Sequence, residues 1–148
     1  MTHFDYSCLL DLNSLKNDNI LIQSLVDFVK KYSPENDWSF IYEEPKDVNV
    51  NSALLYAKDG DRIIGIVRYY NGTIFQLLVH VEYRSLGIGR KLITCIINLI
   101  KKVYRSPDIG LWSLTVELIP YYEKLNFKKT NTVNDTGETY MTYKYTNI

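Results

Sequence analysis

The stretch that decides the fold runs from Thr73 to Lys91 and reads TIFQLLVHVEYRSLGIGRK. Its first half, Thr73–Glu82, is mostly apolar and predicts a strand. Glycines stand at positions 87 and 89, and the apolar spacing that follows predicts a long helix over Gly87–Tyr104. The sequence therefore predicts a strand, a short loop with two glycines and the start of a helix, in that order.

This arrangement is typical of a site for anions. The first backbone N–H groups of a helix have no partner inside the helix, and the helix dipole adds partial positive charge there. A glycine lets the backbone approach phosphate oxygens closely, because it has no Cβ. Arg84, Arg90 and Lys91 place three cations beside this helix end, and an arginine can fork two phosphate oxygens.

A simpler interpretation of the same residues stays open, in which the glycines only shape a turn and the cations are a solvated face. Two other phosphate-binding loops fit this stretch less well. A P-loop requires Gly-x-x-x-x-Gly-Lys-Ser/Thr, which is absent from the sequence. The dinucleotide fingerprint requires a third glycine where this chain has Leu92.

The residues just before this stretch predict two more strands. Ala53–Ala57 and Arg62–Tyr70 are apolar runs separated by the turn sequence Asp59-Gly60-Asp61. A second turn sequence, Asn71-Gly72, separates them from the strand that begins at Thr73. Three strands joined by two tight turns make an antiparallel meander.

The rest of the chain predicts both helices and strands. The predicted N-terminal elements are a strand over residues 4–11, a helix over residues 15–32 and irregular structure over residues 34–51. The predicted C-terminal elements are a strand over Leu111–Val116, a helix over residues 118–125, and strands over Phe127–Thr130 and Thr139–Tyr145. The order β, α, β, β, β, α, β, α, β, β indicates one α+β domain over residues 1–148 with a mixed sheet.

Composition narrows the functional class. Hydrophobic residues make up 46% of the 148 residues, which is enough for one core. The formal net charge is zero, with 17 basic and 17 acidic residues, so nothing in the bulk charge attracts nucleic acid.

Cys8 and Cys95 make no disulfide framework and suit a reducing compartment. No signal peptide or membrane-length apolar run is apparent, so we expect a cytoplasmic protein with no membrane partner.

Two segments together resemble the GNAT superfamily of N-acetyltransferases. Arg84-Ser-Leu-Gly-Ile-Gly89 is similar to its Arg/Gln-x-x-Gly-x-Gly/Ala signature, and the lead-in Val79-His-Val-Glu-Tyr-Arg84 is similar to its Val-x-Pro-Glu-Tyr-Arg. Independently, Tyr121-Tyr-Glu-Lys-Leu-Asn-Phe127 resembles its Phe-Tyr-Glu-Lys-Leu-Gly-Phe. The resemblance covers about the C-terminal two-thirds of the chain. It implies a central, mostly antiparallel sheet with helices on both faces.

The sequence departs from the family pattern at two positions that matter. Asn126 stands where the family has glycine, and asparagine tolerates the left-handed conformation well, so we expect the helix end to be kept. Ser85 replaces a frequent glycine after the arginine, and could cap the following helix instead.

The resemblance implies acetyl-CoA as the co-substrate and no metal. The pyrophosphate is expected on the backbone amides around Leu86–Lys91, and the pantetheine arm beside the strand that ends near Val79–Val81. The strands near residues 80 and 114 are expected to splay apart to admit that arm. The cofactor-binding residues that follow are Val79, His80, Val81, Arg84, Leu86, Gly87, Ile88, Gly89, Arg90 and Lys91.

The resemblance also implies Tyr122 as the general acid, at the position where the family often has a tyrosine near the thioester sulfur. A phenol is protonated at neutral pH and can donate to a leaving thiolate. The interpretation as a core or rim aromatic stays open, and Tyr121 is expected to be packing. The general base is not specified by the sequence: Glu117, Glu82, His80 or a chain of waters all remain candidates.

The acceptor of the acetyl group is the least defined part. The resemblance implies an amine pocket formed by Trp38–Glu44 and Thr132–Tyr143. In one interpretation Glu43 and Glu44 attract a cationic amine, and the pocket is lined by Trp38, Phe40 and Tyr42. In the other interpretation the two acids are only a solvated charge pair. The resemblance implies a small-molecule or peptide amine as the acceptor, and a homodimer through the terminal strands. The alternatives are a non-catalytic acyl-CoA-binding or regulatory module, or an unrelated binder of phosphate ligands.

Overall fold

The computed structural model of the protein describes residues 4–9, 18–35, 51–105 and 107–145. Within these residues, seven strands form one sheet in the order β1-β2-β3-β4-β5-β7-β6. The strands are β1 (Asp5–Leu9), β2 (Ser52–Asp59), β3 (Arg62–Tyr70), β4 (Thr73–Val79), β5 (Gly110–Ser113), β6 (Phe127–Val133) and β7 (Thr139–Tyr143). All neighbours are antiparallel except β4 and β5, which run parallel. The predicted mixed, mostly antiparallel sheet is confirmed.

The described α-helices lie on both faces of this sheet, as the resemblance implied. They are α1 (Asn19–Tyr32), α2 (Ile88–Val103) and α3 (Ile119–Glu123). One buried cluster joins the apolar stripe of α1 to β2 and β3, and a second joins α2 to the opposite face of the sheet. None of the helices in the described ranges is long and apolar enough to cross a membrane.

The tight turns of the meander have the backbone that their sequences predict. Asn71 and Gly72, between β3 and β4, have φ values of 46° and 95°. Positive φ at both central residues fits the right-handed twist of a two-residue hairpin, and Asn-Gly tolerates it best. The register of β3 on β4 is therefore fixed from the turn, starting at the pair Tyr70–Thr73.

Helix α2 packs close to the sheet because of one glycine. Its inward stripe, which includes Ile88, Leu92 and Ile96, is buried. A Cβ built on Gly65 in β3 would lie 2.9 Å from Leu92 Cδ1 and 3.2 Å from Ile88 Cγ2. Glycine at position 65 thus makes room for the first two turns of α2, and so helps to place the start of that helix.

Several predicted boundaries were wrong for local reasons. The first helix begins at Asn19 rather than residue 15, with Asp18 as N-cap, whose carboxylate accepts from the Leu21 amide at 3.0 Å. The strand predicted over Thr73–Glu82 ends at Val79, because a 3₁₀ turn over Val81–Tyr83 follows it. Residues 10–17 and 36–50 lie outside the described residues.

The second half of the chain shows similar shifts. The strand predicted over Leu111–Val116 ends at Ser113, because the Ser113 hydroxyl donates to the Thr115 carbonyl at 2.8 Å and turns the chain. The short helix predicted over residues 118–125 is confined to Ile119–Glu123. The last strands are Phe127–Val133 and Thr139–Tyr143, so the first is longer and the second shorter than predicted.

Candidate active site

Strands β4 and β5 diverge, and this creates the site. Within the described residues their register contains the single pair Thr73–Gly110. Farther along, β4 is bulged: Ile66 opposes Leu78 and Arg68 opposes Phe75, so two residues of β4 stand opposite Val67. A bulge bends a strand and increases its twist. The two strands therefore part after their first pair, as the resemblance implied.

The gap holds a cavity of about 550 Å³. Its walls come from β4 (Ile74, Phe75, Leu77 and Leu78) and from β5 and the turn after it (Leu111, Trp112 and Leu114). Leu77 packs with the cluster under α2, whereas Leu78 packs with the cluster under α1. Side chains from both faces of the sheet thus border the cavity.

The remaining described lining residues come from four other segments. They are Tyr32–Glu35 at the end of α1, Ile93 in α2, Tyr122 in α3 and Glu138 just before β7. The cavity is therefore bordered by α2 and α3 on one side of the sheet and by the end of α1 on the other.

Helix α2 begins beside this gap with free backbone amides. Gly87 is its N-cap, with φ 81° and no hydrogen bond from a capping side chain. The first bond of the helix runs from the Lys91 amide to the Gly87 carbonyl at 3.0 Å. The amides of Ile88, Gly89 and Arg90 thus have no partner inside the helix. The suggestion that Ser85 caps this helix was wrong, since Ser85 stands two residues before the cap and has φ 67°.

Gly89 marks where the helix start meets the strand end. A Cβ built there would lie 3.6 Å from Val79 Cγ2 and 3.7 Å from Tyr121 Oη. These are ordinary contact distances, so packing does not require glycine at this position. The start of α2 therefore adjoins both the end of β4 and the first tyrosine of α3.

The three cations of this segment are exposed and point to different neighbours. Arg84 Nε donates to the Val79 carbonyl at 3.2 Å. Burial raises the pKa of the Tyr121 phenol, and the nearby charge of Arg90 opposes this with a smaller, lowering effect. Lys91 Nζ lies 5.9 Å from the ring centre of Tyr6 in β1. Arg84 and Arg90 thus flank the gap more closely than Lys91 does.

His80 is buried on the α1 side of the sheet, with 4% of its surface exposed. Its ring lies 5.6 Å from that of Tyr32. Arg62 Nη2 approaches Nε2 at 3.0 Å, and the Glu82 amide approaches Nδ1 at 3.1 Å. Both neighbours are donors, so both disfavour an imidazolium. Burial, and then the charge of Arg62, lower the pKa of His80 below its usual value.

Tyr122 points into the cavity from α3 and is half-buried. Its ring meets those of Tyr121 and Phe127 edge-on, with centres 5.3 and 6.3 Å away. Burial raises the pKa of the Tyr122 phenol above its usual value, so the hydroxyl keeps its proton at neutral pH. Asn126, in the turn between α3 and β6, has the left-handed φ of 72° that was expected of it.

The candidate bases lie outside the cavity wall. Glu82 is exposed and lies 3.6 Å from Arg62 Nη1, and Glu117 is exposed in the turn after β5. Neither of these, nor His80, is among the described residues that line the cavity. The described residues also contain no group of three or more His, Cys, Asp or Glu side chains that could hold a metal.

The acidic residues that do line the cavity were not singled out from the sequence. They are Glu35, after α1, and Glu138, which falls within the predicted range Thr132–Tyr143. Glu43 and Glu44, with the rest of Trp38–Glu44, lie outside the described residues. The sequence pattern could have pointed to Glu138. It lies two positions before Tyr140, so the alternation of a strand predicts that the two side chains face the same side of the sheet. Tyr140 in turn pairs with Trp112, which lines the cavity.

Comparison with known proteins agrees with this geometry. A search of curated proteins found no match. Among solved structures, an acyl-CoA N-acyltransferase from Pseudomonas aeruginosa superposes with a TM-score of 0.74 at 14% identity, covering 96% of this chain and 100% of that one. At these identities the likeness shows the fold.

Two further solved structures contain coenzyme A. An aminoglycoside 6'-N-acetyltransferase has a TM-score of 0.67 at 18% identity, covering 93% of this chain and 95% of its own. The PaiA N-acetyltransferase from Thermoplasma acidophilum has a TM-score of 0.57 at 18% identity, covering 95% and 99%. The profile of the acetyltransferase (GNAT) domain matches residues 51–129, more than half of the chain. The chain therefore belongs to the GNAT acetyltransferase family and is an acetyl-CoA-dependent acetyltransferase.

Proposed function

We propose that the protein transfers the acetyl group of acetyl-CoA to a primary amine, by direct attack of the amine on the thioester carbon. The observation that carries this proposal is the Tyr122 phenol, which lines a cavity between diverging strands and adjoins the start of α2 through Tyr121. We take residues 1–148 to be a single acetyltransferase domain.

The cofactor's phosphates fit the start of α2 best. Free amides at Ile88, Gly89 and Arg90 and the cations of Arg84, Arg90 and Lys91 supply donors and positive charge. His80 acts through the turn that it begins, because its ring faces α1. The residues proposed to hold the cofactor are Val79, His80, Val81, Arg84, Leu86, Gly87, Ile88, Gly89, Arg90 and Lys91.

The free edge of β4 suits the pantetheine arm, which carries amide groups that can pair like an added strand. One acceptor on that edge, the Val79 carbonyl, already accepts from Arg84 Nε. We expect Arg84 to leave this carbonyl when the arm binds, and to turn its guanidinium to the phosphates. One side chain would thus couple the two halves of the cofactor site.

The reaction needs one proton donor and one route for a proton to leave. The C–N bond forms as the C–S bond breaks, and Tyr122 gives its proton to the departing thiolate. The nitrogen releases its proton to water, since Glu117, Glu82 and His80 do not line the described cavity wall. We therefore propose a chain of waters as the base, and no metal takes part.

The cytoplasmic location and the homodimer are predictions. Cys8 and Cys95 are free thiols, which suits the reducing cytoplasm. A homodimer would use the terminal strands, where β6 forms one edge of the sheet.

The proposal is tested by mixing the protein with acetyl-CoA and a panel of primary amines, and measuring release of the free thiol. Amine-dependent release that Tyr122→Phe slows would support it. Tight acetyl-CoA binding with no release in any amine would favour a non-catalytic acyl-CoA-binding module. Binding of simple phosphate ligands as strong as that of acetyl-CoA would favour the unrelated phosphate binder.

A further inference from the structure

A short 3₁₀ turn, Val81–Tyr83, joins the two parts of the proposed cofactor site. It follows β4, whose edge suits the pantetheine arm, and it precedes the N-cap of α2 at Gly87, where the phosphates fit. A change in the direction of this turn would move the end of the strand relative to the start of the helix. A group that fixes the turn from another element therefore positions both parts of the site.

One backbone amide of this turn is bonded to another element of the fold. The amide of Glu82 donates to His80 Nδ1 at 3.1 Å, and the amide of Tyr83 donates to the His80 carbonyl at 2.8 Å. His80 is the N-cap of the turn, so these two bonds are local. The amide of Val81 instead donates to the hydroxyl of Tyr32 at 3.2 Å, and Tyr32 is the last residue of α1. The turn is thus tied to α1 through a single phenol.

Packing holds Tyr32 in place for this contact. Its side chain is half-buried, and the centre of its ring lies 4.8 Å from that of Phe28 and 5.6 Å from that of His80. Phe28 belongs to the buried cluster that joins α1 to the sheet. The Tyr32 hydroxyl therefore connects the turn to a well-packed part of the protein.

Val81 occupies a position where proline is well suited. It is the first residue of the turn, and the family pattern that this segment resembles has proline there. Proline has a fixed φ and no amide hydrogen to satisfy at such a position. Valine keeps the amide, and the first amides of a helical turn have no partner inside it. In this chain Tyr32 supplies the acceptor, and its hydrogen bond restrains the turn where a proline ring would otherwise do so.

We propose that Tyr32 is a positioning residue for acetyl-CoA. By accepting from the Val81 amide, its hydroxyl keeps the turn in the conformation that aligns the edge of β4 with the start of α2. Without this bond the turn populates that conformation less, and the apparent affinity for acetyl-CoA falls by the same factor. This inference rests on the proposed function, because the site that Tyr32 positions is the proposed cofactor site.

Tyr32→Phe tests the role of the hydroxyl, since it keeps the ring. Calorimetry should show acetyl-CoA affinity lower by about fivefold, the effect of one ordinary hydrogen bond. Tyr104→Phe is the matched control: the Tyr104 hydroxyl also accepts from a backbone amide at 3.2 Å, that of Ser52, and Tyr104 does not line the described cavity wall. It should change the affinity by less than about twofold. Urea unfolding verifies that both variants fold, and equal losses of affinity in the two would overturn the role of Tyr32.

Val81→Pro tests the same bond from its other partner. The extended backbone of His80, with φ −53° and ψ 134°, is the kind that a following proline favours. The proline ring takes the place of the amide hydrogen, so no bond to Tyr32 remains, and removal of the hydroxyl makes room for the ring. Tyr32→Phe added to Val81→Pro should therefore cause no further loss of acetyl-CoA affinity. A further loss of about fivefold would mean that Tyr32 acts on the cofactor directly, and would overturn the positioning role.

The two proposals fail in different ways. Acetyl-CoA affinity of Tyr32→Phe equal to that of the wild type would overturn the positioning role and leave the proposed acetyl transfer intact. Failure of the folded wild-type protein to bind acetyl-CoA would overturn the proposed function and this inference with it.

Discussion

The two sides of the cavity differ in the way they offer charge. On the side of α2, positive charge comes from a helix start and from exposed Arg84 and Arg90. On the side of α1 and β7, the cavity wall carries the carboxylates of Glu35 and Glu138, while Lys31 and Arg68 lie over the lining rings of Tyr32 and Phe75. In our proposal the first side binds the polyanionic cofactor and the second side takes the amine. The difference teaches that a single gap in a sheet can offer a cationic surface to one substrate and a mixed, aromatic surface to the other.

The largest effect is expected from placing negative charge on the α2 side. Gly89→Glu would set a carboxylate at the free amides, and like charges brought together cost several kcal/mol. We expect acetyl-CoA affinity to fall by about 10³-fold or more. Calorimetry on the folded variant measures this change.

Gly89→Ala is the control for that variant. A Cβ at this position meets the protein only at ordinary contact distances, so we expect a loss of less than about tenfold. If Gly89→Glu folds and binds acetyl-CoA as the wild type does, the α2 side is not the phosphate site and the comparison fails.

The next largest effect is expected on kcat, from a substitution at Tyr122, where the two sides of the cavity meet. Tyr122→Phe removes the proposed proton donor, and we expect kcat to fall by about 10²-fold with acetyl-CoA affinity nearly unchanged. This is the lower end of general acid catalysis, because a thiolate is already a fair leaving group. Steady-state kinetics and calorimetry together separate the two quantities.

Tyr121→Phe removes the same hydroxyl from the adjacent residue, whose Oη points to the start of α2 rather than lining the cavity. It should change kcat by less than about threefold. An equal loss of kcat in both variants would show that Tyr122 has no special role.

A third prediction tests whether Gly65 positions the start of α2. Gly65→Ala would bring a Cβ within 2.9 Å of Leu92 Cδ1, and overpacking of this kind costs about 1–3 kcal/mol. We expect the free energy of unfolding in urea to fall by that amount. Acetyl-CoA affinity should also weaken, since the first turns of α2 shift; unaltered affinity in a destabilised variant would mean that the helix start is not placed through Gly65.

The smallest effect is a dependence of stability on pH through His80, on the α1 side. Its pKa is lowered in the folded protein, first by burial and then by Arg62. As pH falls below about 6.5, the unfolded chain takes up a proton that the folded protein refuses. Stability therefore falls with pH from there down to the folded pKa, by at most about 1.4 kcal/mol per pH unit.

Urea unfolding at a series of pH values, for wild type and His80→Gln, isolates that contribution. Glutamine does not titrate, so the slope between about pH 7 and pH 5 should be smaller in the variant. His3→Gln serves as the control. Equal slopes in wild type and His80→Gln would show that the His80 environment does not resist protonation.

The α2 side could be predicted from the sequence, whereas much of the opposite side could not. The strand, loop and helix around Gly87 are contiguous, so their pattern carries their geometry, and Asn126 is left-handed as expected. The end of β5 was predicted wrongly, because the hydrogen bond from the Ser113 hydroxyl to the Thr115 carbonyl turns the chain although the residues that follow are apolar. Glu35 and Glu138 are about a hundred positions apart, and the packing of α1 on the sheet together with the place of β7 beside β5 brings both to one cavity.

The most direct test of the central claim is a calorimetric titration of the protein with acetyl-CoA, using adenosine diphosphate as the control ligand. The claim is that the gap between β4 and β5 and the start of α2 form one cofactor site. It predicts tight binding of acetyl-CoA and weak binding of adenosine diphosphate, because the control has the phosphates but lacks the arm that would lie along β4. Failure of the folded protein to bind acetyl-CoA, or equal affinity for the two ligands, would contradict it.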